Sequence, residues 1–568
     1  MRVNLKPALG GRAAHRSIPP NKDFYATLGL FHEEVTAGNA RGYLGICSGP
    51  IYIIMKRKLF SLTRILLGAV SLGALIMLDI ACAQAQTSSD VVPNRLIVVY
   101  RNAITPGTTA ILVSSGVKVA AEVPAWGIAV VQGDVASDPQ LRGLQSRLAA
   151  DPGVAYVVHD RYVSGSRLQA AEADATADGA ALPADSFYTS TPQSWAVKQV
   201  GGYGAKVAGA PAQGPWNTSM GQGVRIAILD TGISSTHPDT APNLVFAKSL
   251  VDQTALPTPC DTGSPEDQDG HGTFTASLAA GALGPNTGLT VGVAPRASLL
   301  NIKVLQRMPA AGTANTKQLC EQGTAGGLMS WIITGIAAAS AQHADIISVS
   351  AGGLVDTYSG EAEGQIAAMN RAVYNATQGG ALVIAALGNN GESLDNNRYV
   401  EMPAQATDAL AVMATTNPAC AQNMNANAKC AAGPVGLANY SNYGTTLGAV
   451  GAPGGSQPQN AANQDGVTGF VRGACSTGIA NTQDGLPSQA GHSFGCFGLG
   501  HVAYVQAIGT SASAPLVAGV AAILKGAHPT LSPAQIANAI RQSSVEVENT
   551  VPAPVTLVDA QKALVAVQ

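Results

Sequence analysis

The sequence predicts an α/β fold: a mostly parallel sheet flanked by helices on both faces, preceded by a small α+β unit. Short, near-continuous apolar runs recur through the C-terminal two-thirds of the chain. Strands buried on both faces look like this, and parallel sheets bury both faces. Between those runs lie longer stretches suited to helical crossovers, which parallel strands require. Composition agrees: 46% of the 568 residues are hydrophobic and only 12% are charged. That permits a large core and argues against disorder.

The N-terminal region carries a targeting signal rather than a domain. Residues 1–54 show no clear periodicity. Met55-Lys56-Arg57-Lys58 is a basic start, followed by the apolar run Ile65 to Leu78 and by Ala83-Gln84-Ala85. Residues 55–85 therefore read as a secretory signal peptide cut after Ala85, with Met55 as a candidate start and 1–54 as an extension before it. The expected location is extracellular, with the periplasm or cell surface as variants. The apolar run is about 14 residues, short for a bilayer core, so a stable membrane anchor is the weaker reading. A lipoprotein cysteine at Cys82 is weaker still, because Asp79 stands where an apolar residue is wanted.

Residues 86–166 form the small α+β unit. Arg95–Tyr100, Trp126–Val131 and Val154–Val158 are its strands, and Leu141, Leu144 and Leu148 mark one helix face. Residues 167–189 are a linker, since Ala170–Ala181 is rich in Ala, Asp and Glu without an apolar pattern. The main domain is 190–568. Its expected strands are Val224–Leu229, Ser298–Leu305, Ile346–Val349, Leu382–Ala386 and Leu410–Met413. Its expected crossover helices include Leu328–Gln342 and Gly364–Gln378.

The net charge of −3 gives no basic field, so no nucleic-acid partner is expected. None of the eight cysteines forms a CxxC pair, which disfavours zinc-ribbon and redox motifs. Six lie in the main domain. Neighbour pairing, 260–320, 420–430 and 475–496, closes the shortest loops and is the expected disulfide set, although six cysteines allow 15 connectivities.

Three segments carry chemistry. Val224–Leu229 ends in Asp230-Thr231-Gly232, an acid at the carboxyl end of a buried strand, where open α/β sheets bind ligands. His271 lies between Gly270 and Gly272, which let an imidazole approach other backbone closely. Ser511, in Gly509-Thr510-Ser511-Ala512-Ser513-Ala514-Pro515, opens a helix whose N-terminal N–H groups favour developing negative charge. Taken singly, these residues are more often a turn acid, a structural histidine and an N-cap serine. Their chain order, Asp, His, Ser, is far more specific than any one of them.

On these three segments the chain resembles the subtilisin-like serine proteases, the subtilase or peptidase S8 family. The resemblance covers about 190–568. It implies a subtilisin-like fold and a catalytic triad of Asp230, His271 and Ser511. Ala385-Ala386-Leu387-Gly388-Asn389 resembles the oxyanion-hole segment, which assigns that role to the Asn389 amide and the Ser511 backbone N–H. Ser350-Ala351-Gly352-Gly353 resembles the segment that pairs with the substrate backbone and lines the primary specificity pocket. Gly292-Val293-Ala294-Pro295 and Asn439–Gly444 with Ala452-Pro453-Gly454 are further landmarks. Phe274 stands where a second histidine is commoner, a departure that touches packing rather than chemistry. Residues 91–166 resemble the family's inhibitor-type propeptide, which implies an autoprocessed zymogen whose propeptide is an intramolecular inhibitor.

The implied partners are protein or peptide substrates, and the implied state is a monomer. No cofactor is needed for the chemistry. Structural Ca²⁺ is implied near Asp239 and Asn286, but one carboxylate is too few for a committed metal site, and a capped turn is favoured. Glu401, shortly before Pro403, falls near the floor of the specificity pocket. With Glu266, Asp267 and Asp269 it could favour basic side chains in substrates; solvated loop charges are the favoured reading.

Two other classes compete. Gly491-His492-Ser493-Phe494-Gly495 matches the nucleophile pattern of lipases and esterases, but Ser493 has no strand before it and no later acid followed by a histidine. A catalytically silent binding protein of the same fold is disfavoured by the presence of all three triad residues and Asn389.

Overall fold

A computed structural model describes residues 91–134, 138–165, 169–172, 185–189, 194–205, 213–255, 260–284, 287–310, 312, 315–417, 435–455, 469–476, 496–497, 502–547 and 554–568. The extension with Cys47, the signal peptide with Cys82, most of the linker, Asn286, Cys420, Cys430 and Ser493 lie outside the described residues.

The centre is a ten-stranded sheet. Leu244–Ser249, Ser298–Lys303, Arg225–Asp230, Ile346–Val349, Leu382–Ala386, Leu410–Thr416, Val450–Pro453 and Val555–Leu557 follow one another in parallel. Val545–Val547 closes one edge antiparallel. Strand alternation sends side chains to two separate cores. Ile226 and Ile228 join the core of the Thr510–Ala527 helix, while Ala227 and Leu229 join that of Met329–Ala341 and Ala362–Gln378. The helix Thr510–Ala527 runs through the first core, and small residues permit its close approach. A Cβ on Gly519 would stand 2.5 Å from Val293 Cβ. Among the described residues it is also the one helix long and apolar enough to cross a membrane, but 83% of it is buried inside the protein.

Residues 91–165 build their own core from Leu96, Val98, Leu141, Leu144, Leu148 and Val157. Val91–Tyr100 pairs antiparallel with Ile128–Gly133 and with Val154–Gly165. The last strand is longer than Val154–Val158 because it finds new partners beyond the small unit. Tyr162–Ser164 pairs with Thr324–Leu328, and Ser164 and Gly165 pair with Gly352 and Ala351. The expected strand Ser298–Leu305 is two strands, Ser298–Lys303 and Leu305–Met308, with Val304 between them. Disulfides Cys260–Cys320 and Cys475–Cys496 form as expected.

Candidate active site

Asp230 is the last residue of its strand, and His271 is the first of the helix His271–Ala280. The two meet because a glycine stands in the turn after Asp230 and another directly follows His271 in its helix. A Cβ on Gly272 would stand 2.0 Å from Gly232 O, so only glycine lets the histidine helix sit against the Asp230 turn. His271 Nδ1 lies 2.6 Å from Asp230 Oδ1. Thr231 N donates to Asp230 Oδ1 (2.7 Å), and Thr275 Oγ1 donates to Oδ2 (3.1 Å). Both residues are buried. Burial, the largest influence on the imidazole, pulls its pKa down; the Asp230 charge and hydrogen bond, with Asp269 and Asp267 behind them, outweigh it. The net direction is upward from the ordinary value. His271 Nε2 is buried without a hydrogen-bond partner.

Asp267 organises this junction. Its Oδ1 accepts from Thr231 Oγ1 (2.9 Å), Asp269 N (3.0 Å) and Gly270 N (2.8 Å), and its Oδ2 accepts from Thr273 N (2.9 Å) and Thr273 Oγ1 (2.6 Å). Asp269 is ion-paired with Arg307 at 3.0 Å. Glu266, half-buried, accepts from Ser235 N (2.9 Å). The sequence reading of these three acids as solvated charges or substrate selectors is therefore corrected: they are structural acceptors around the histidine loop. Nothing in the sequence separates such a role from a surface acid, because the donors are mostly backbone N–H groups.

Ser511 lies in the first turn of Thr510–Ala527, which packs on the His271–Ala280 helix. Its Oγ donates to Ser350 O at 3.2 Å, and Ser350 Oγ donates to Ser511 O at 3.1 Å. No Ser511–His271 hydrogen bond is formed, so the structure joins two members of the expected triad directly and holds the third on the Ser350 carbonyl. Catalytic hydrogen bonds are often completed only when substrate binds.

Asn389 follows the strand Leu382–Ala386. Thr510 N (2.9 Å) and Thr510 Oγ1 (2.8 Å) donate to Asn389 Oδ1, fixing the amide beside Ser511. Gly388 has φ +96° and is braced by Asn442, whose Nδ2 donates to Leu387 O at 2.9 Å. Thr510 as the orienter of Asn389 was not legible from motif spelling.

Ser350–Gly353 runs into the strand Ala351–Asp356, which pairs antiparallel with Tyr399–Met402. The edge opposite is where Ser164 and Gly165 lie. Further along the chain, Gln169–Glu172 pairs with Tyr504–Ile508, the strand that leads into Ser511. The small unit's chain thus brackets the nucleophile.

Asp239 does not suit a cation. Gly288 N (2.6 Å) donates to its Oδ1, and Leu289 N (3.2 Å), Thr290 N (3.1 Å) and Thr290 Oγ1 (2.8 Å) donate to its Oδ2. Donors stand where a metal would need oxygen ligands, and no cluster of metal-ligating side chains occurs among the described residues.

An α/β sheet bearing a locked Asp–His pair and a serine at a buried helix start is the architecture of a serine hydrolase. The comparisons then define the group: the chain belongs to the subtilase family, whose model matches residues 221–557, more than half of the chain. Thermitase of Thermoactinomyces vulgaris is 31% identical over 252 residues, 44% of this chain and 70% of that protein. The intracellular serine protease of Paenibacillus polymyxa is 34% identical over 212 residues, 37% of this chain and 54% of the relative. Subtilisin E of Bacillus subtilis (strain 168) is 28% identical over 330 residues, 58% of this chain and 62% of the relative. The chain thus spans about half to two-thirds of the length of most of these relatives.

Among solved structures, fervidolysin from Fervidobacterium pennivorans aligns with a TM-score of 0.56 at 18% identity, covering 84% of this chain and 61% of that one. The epidermin leader peptide processing serine protease of Staphylococcus aureus aligns with a TM-score of 0.54 at 17% identity, covering 83% and 97%. Both share the fold.

Proposed function

We propose that the chain is a secreted serine endopeptidase, made as an autoprocessed zymogen, which cleaves protein and peptide substrates through an acyl-enzyme on Ser511. The observation that carries this reading is the buried imidazole of His271, fixed by Asp230 at Nδ1 over 2.6 Å and unpartnered at Nε2. An imidazole so held is the neutral Nδ1–H tautomer, with Nε2 ready to accept a proton. In the reaction the Ser511 hydroxyl leaves the Ser350 carbonyl and gives its proton to Nε2 as Oγ attacks the peptide carbonyl. Asp230 stabilises the resulting imidazolium. The Asn389 amide and the Ser511 backbone N–H take the oxyanion. His271 returns the proton to the leaving amine, and water then hydrolyses the acyl-enzyme by the same route.

The zymogen part rests on the strand Val154–Gly165. Its end adds to the edges of Thr324–Leu328 and Ala351–Asp356 as an extended substrate does by β-augmentation. In this reading residues 86–166 are the propeptide, which blocks the cleft until the chain is cut within 164–190, and 190–568 is the peptidase domain. The signal peptide at 55–85 directs export. Asp239 supplies no calcium ligand in it, since its carboxylate is taken up by N–H and O–H donors.

Casein hydrolysis by the purified protein, blocked by a serine-directed sulfonyl fluoride, tests the activity. Hydrolysis that a sulfonyl fluoride leaves untouched contradicts it, as does complete inactivity of a processed chain.

A further inference from the structure

Glu401 is an acid with no visible purpose in the fold. It lies on the strand Tyr399–Met402, opposite Leu354 of the substrate-pairing strand, and is only 4% exposed. Its carboxylate reaches back between two glycines of the site. A Cβ on Gly352 would stand 2.4 Å from Oε1, and one on Gly388 would stand 3.2 Å from Oε2. Gly352 belongs to the segment that receives the peptide backbone, and Gly388 precedes Asn389. The carboxylate therefore sits behind the cleft, between the peptide-binding edge and the oxyanion segment. It has no hydrogen-bond or ion-pair partner among the described residues. The other buried acids of the region do: Asp269 pairs with Arg307 (3.0 Å), Asp261 with Lys303 (2.8 Å) and Asp160 with Arg95 (3.0 Å).

An unpaired buried carboxylate is costly, and burial drives the Glu401 pKa well above the ordinary carboxylate range. Folds satisfy such groups with a cation or with donors, and here neither comes from the described residues. The two residues that its oxygens approach, Gly352 and Gly388, belong to the peptide-pairing segment and the oxyanion segment. From the proposed endopeptidase reading, on which this step rests, we infer that Glu401 is a specificity-determining residue: it receives the basic side chain, lysine or arginine, of the substrate residue whose carbonyl is attacked. The cation restores the charged carboxylate and forms the ion pair that the fold leaves open. A neutral or acidic side chain there leaves Glu401 unpaired.

The test uses processed enzyme and a peptide series differing only in the residue before the scissile bond: Arg, Lys, Phe, Leu and Glu. Arg and Lys peptides are expected to give the highest kcat/KM, by about 30-fold over Phe, the size of a buried charge pair. In Glu401→Gln, an isosteric change, the Arg-to-Phe ratio falls by about the same factor. Labelling by a sulfonyl fluoride confirms that the variant site is assembled, and Glu401→Ala is the second variant should Gln fold poorly. A wild-type enzyme that cuts after Phe or Leu as well as after Arg overturns the inference, and so does an unchanged ratio in both variants. Either result leaves the endopeptidase reading standing, because peptides are still cut. A processed chain that cuts none of them and takes no sulfonyl label removes the reading and this inference together.

Discussion

His271 and Asp230 are 2.6 Å apart, from Nδ1 to Oδ1, in a site closed to water. The acid thus sets both the tautomer and the basicity of the imidazole. Burial alone lowers the imidazole pKa, and the Asp230 charge and hydrogen bond, together with the Asp269 and Asp267 charges, more than reverse that. A base must be neutral to accept the serine proton, so kcat/KM rises with pH as His271 loses its proton. The acid limb should have its midpoint above about 6.5, the ordinary histidine value. Asp230→Asn removes the largest raising influence and leaves burial opposed only by the Asp269 and Asp267 charges, so the midpoint should fall, with kcat lower by about 10⁴. A pH profile of peptide hydrolysis decides. A wild-type midpoint at or below the ordinary value contradicts the pairing.

Asn389 is held by two bonds from Thr510. Asn389→Ala should lower kcat by about 10²–10³ with KM little changed, the effect known for subtilisin's own oxyanion-hole amide. Thr510→Val leaves the backbone bond and removes the hydroxyl one, so its loss in kcat should be smaller. Steady-state kinetics on one peptide measure both. An Asn389→Ala enzyme with full kcat would show that the amide faces elsewhere.

The disulfide Cys475–Cys496 stands directly behind the histidine loop. Cys475 Sγ is 3.8 Å from Gly270 O, Phe497 N donates to Asp269 O at 2.7 Å, and the Phe497 ring meets His271 edge-on at 6.1 Å. Cys475→Ser should cost about 3 kcal/mol of stability through the loop it opens. Activity at low temperature should fall less steeply than the melting temperature. A thermal melt unchanged by the substitution would mean that the loop is held by other contacts.

The small N-terminal unit is anchored by Glu361. His159 N (2.9 Å), His159 Nδ1 (2.6 Å) and Gln145 Nε2 (2.7 Å), all from that unit, converge on its carboxylate. Removing the acceptor in Glu361→Ala should weaken inhibition of the processed enzyme by added segment 86–166 about 10- to 100-fold. Inhibition of equal strength would place the anchoring elsewhere, for instance on the buried Arg95–Asp160 pair.

Much of this was legible in the sequence, for physical reasons. Ile346–Val349 and Leu382–Ala386 are buried on both faces, so an apolar run marks their full length. The glycine-flanked His271 and the strand-end Asp230 are local spellings of a close approach. The helix Pro106–Ser114 and the strand Val117–Val123 gave no signal, because Leu112 and Val117 are their only buried residues while Ile111 and Val113 face solvent. Residues His159–Gly165 are too polar to announce a strand; they form one through partners about 160 to 190 residues away in the chain, at Thr324–Leu328 and Ala351–Asp356. The favoured reading of Glu401 as a solvated loop charge failed for the same reason, since it is buried. Burial of a single acid depends on what folds over it, and no neighbour in sequence reports that.

Locating the nucleophile tests the central claim most directly. Processed enzyme is inactivated with a fluorophosphonate, digested and mapped by mass spectrometry, beside a Ser511→Ala precursor. The account predicts one adduct, on Ser511, lost together with casein hydrolysis, and a Ser511→Ala chain left uncut within 164–190. An adduct on Ser493, or casein hydrolysis that survives Ser511→Ala, would contradict it.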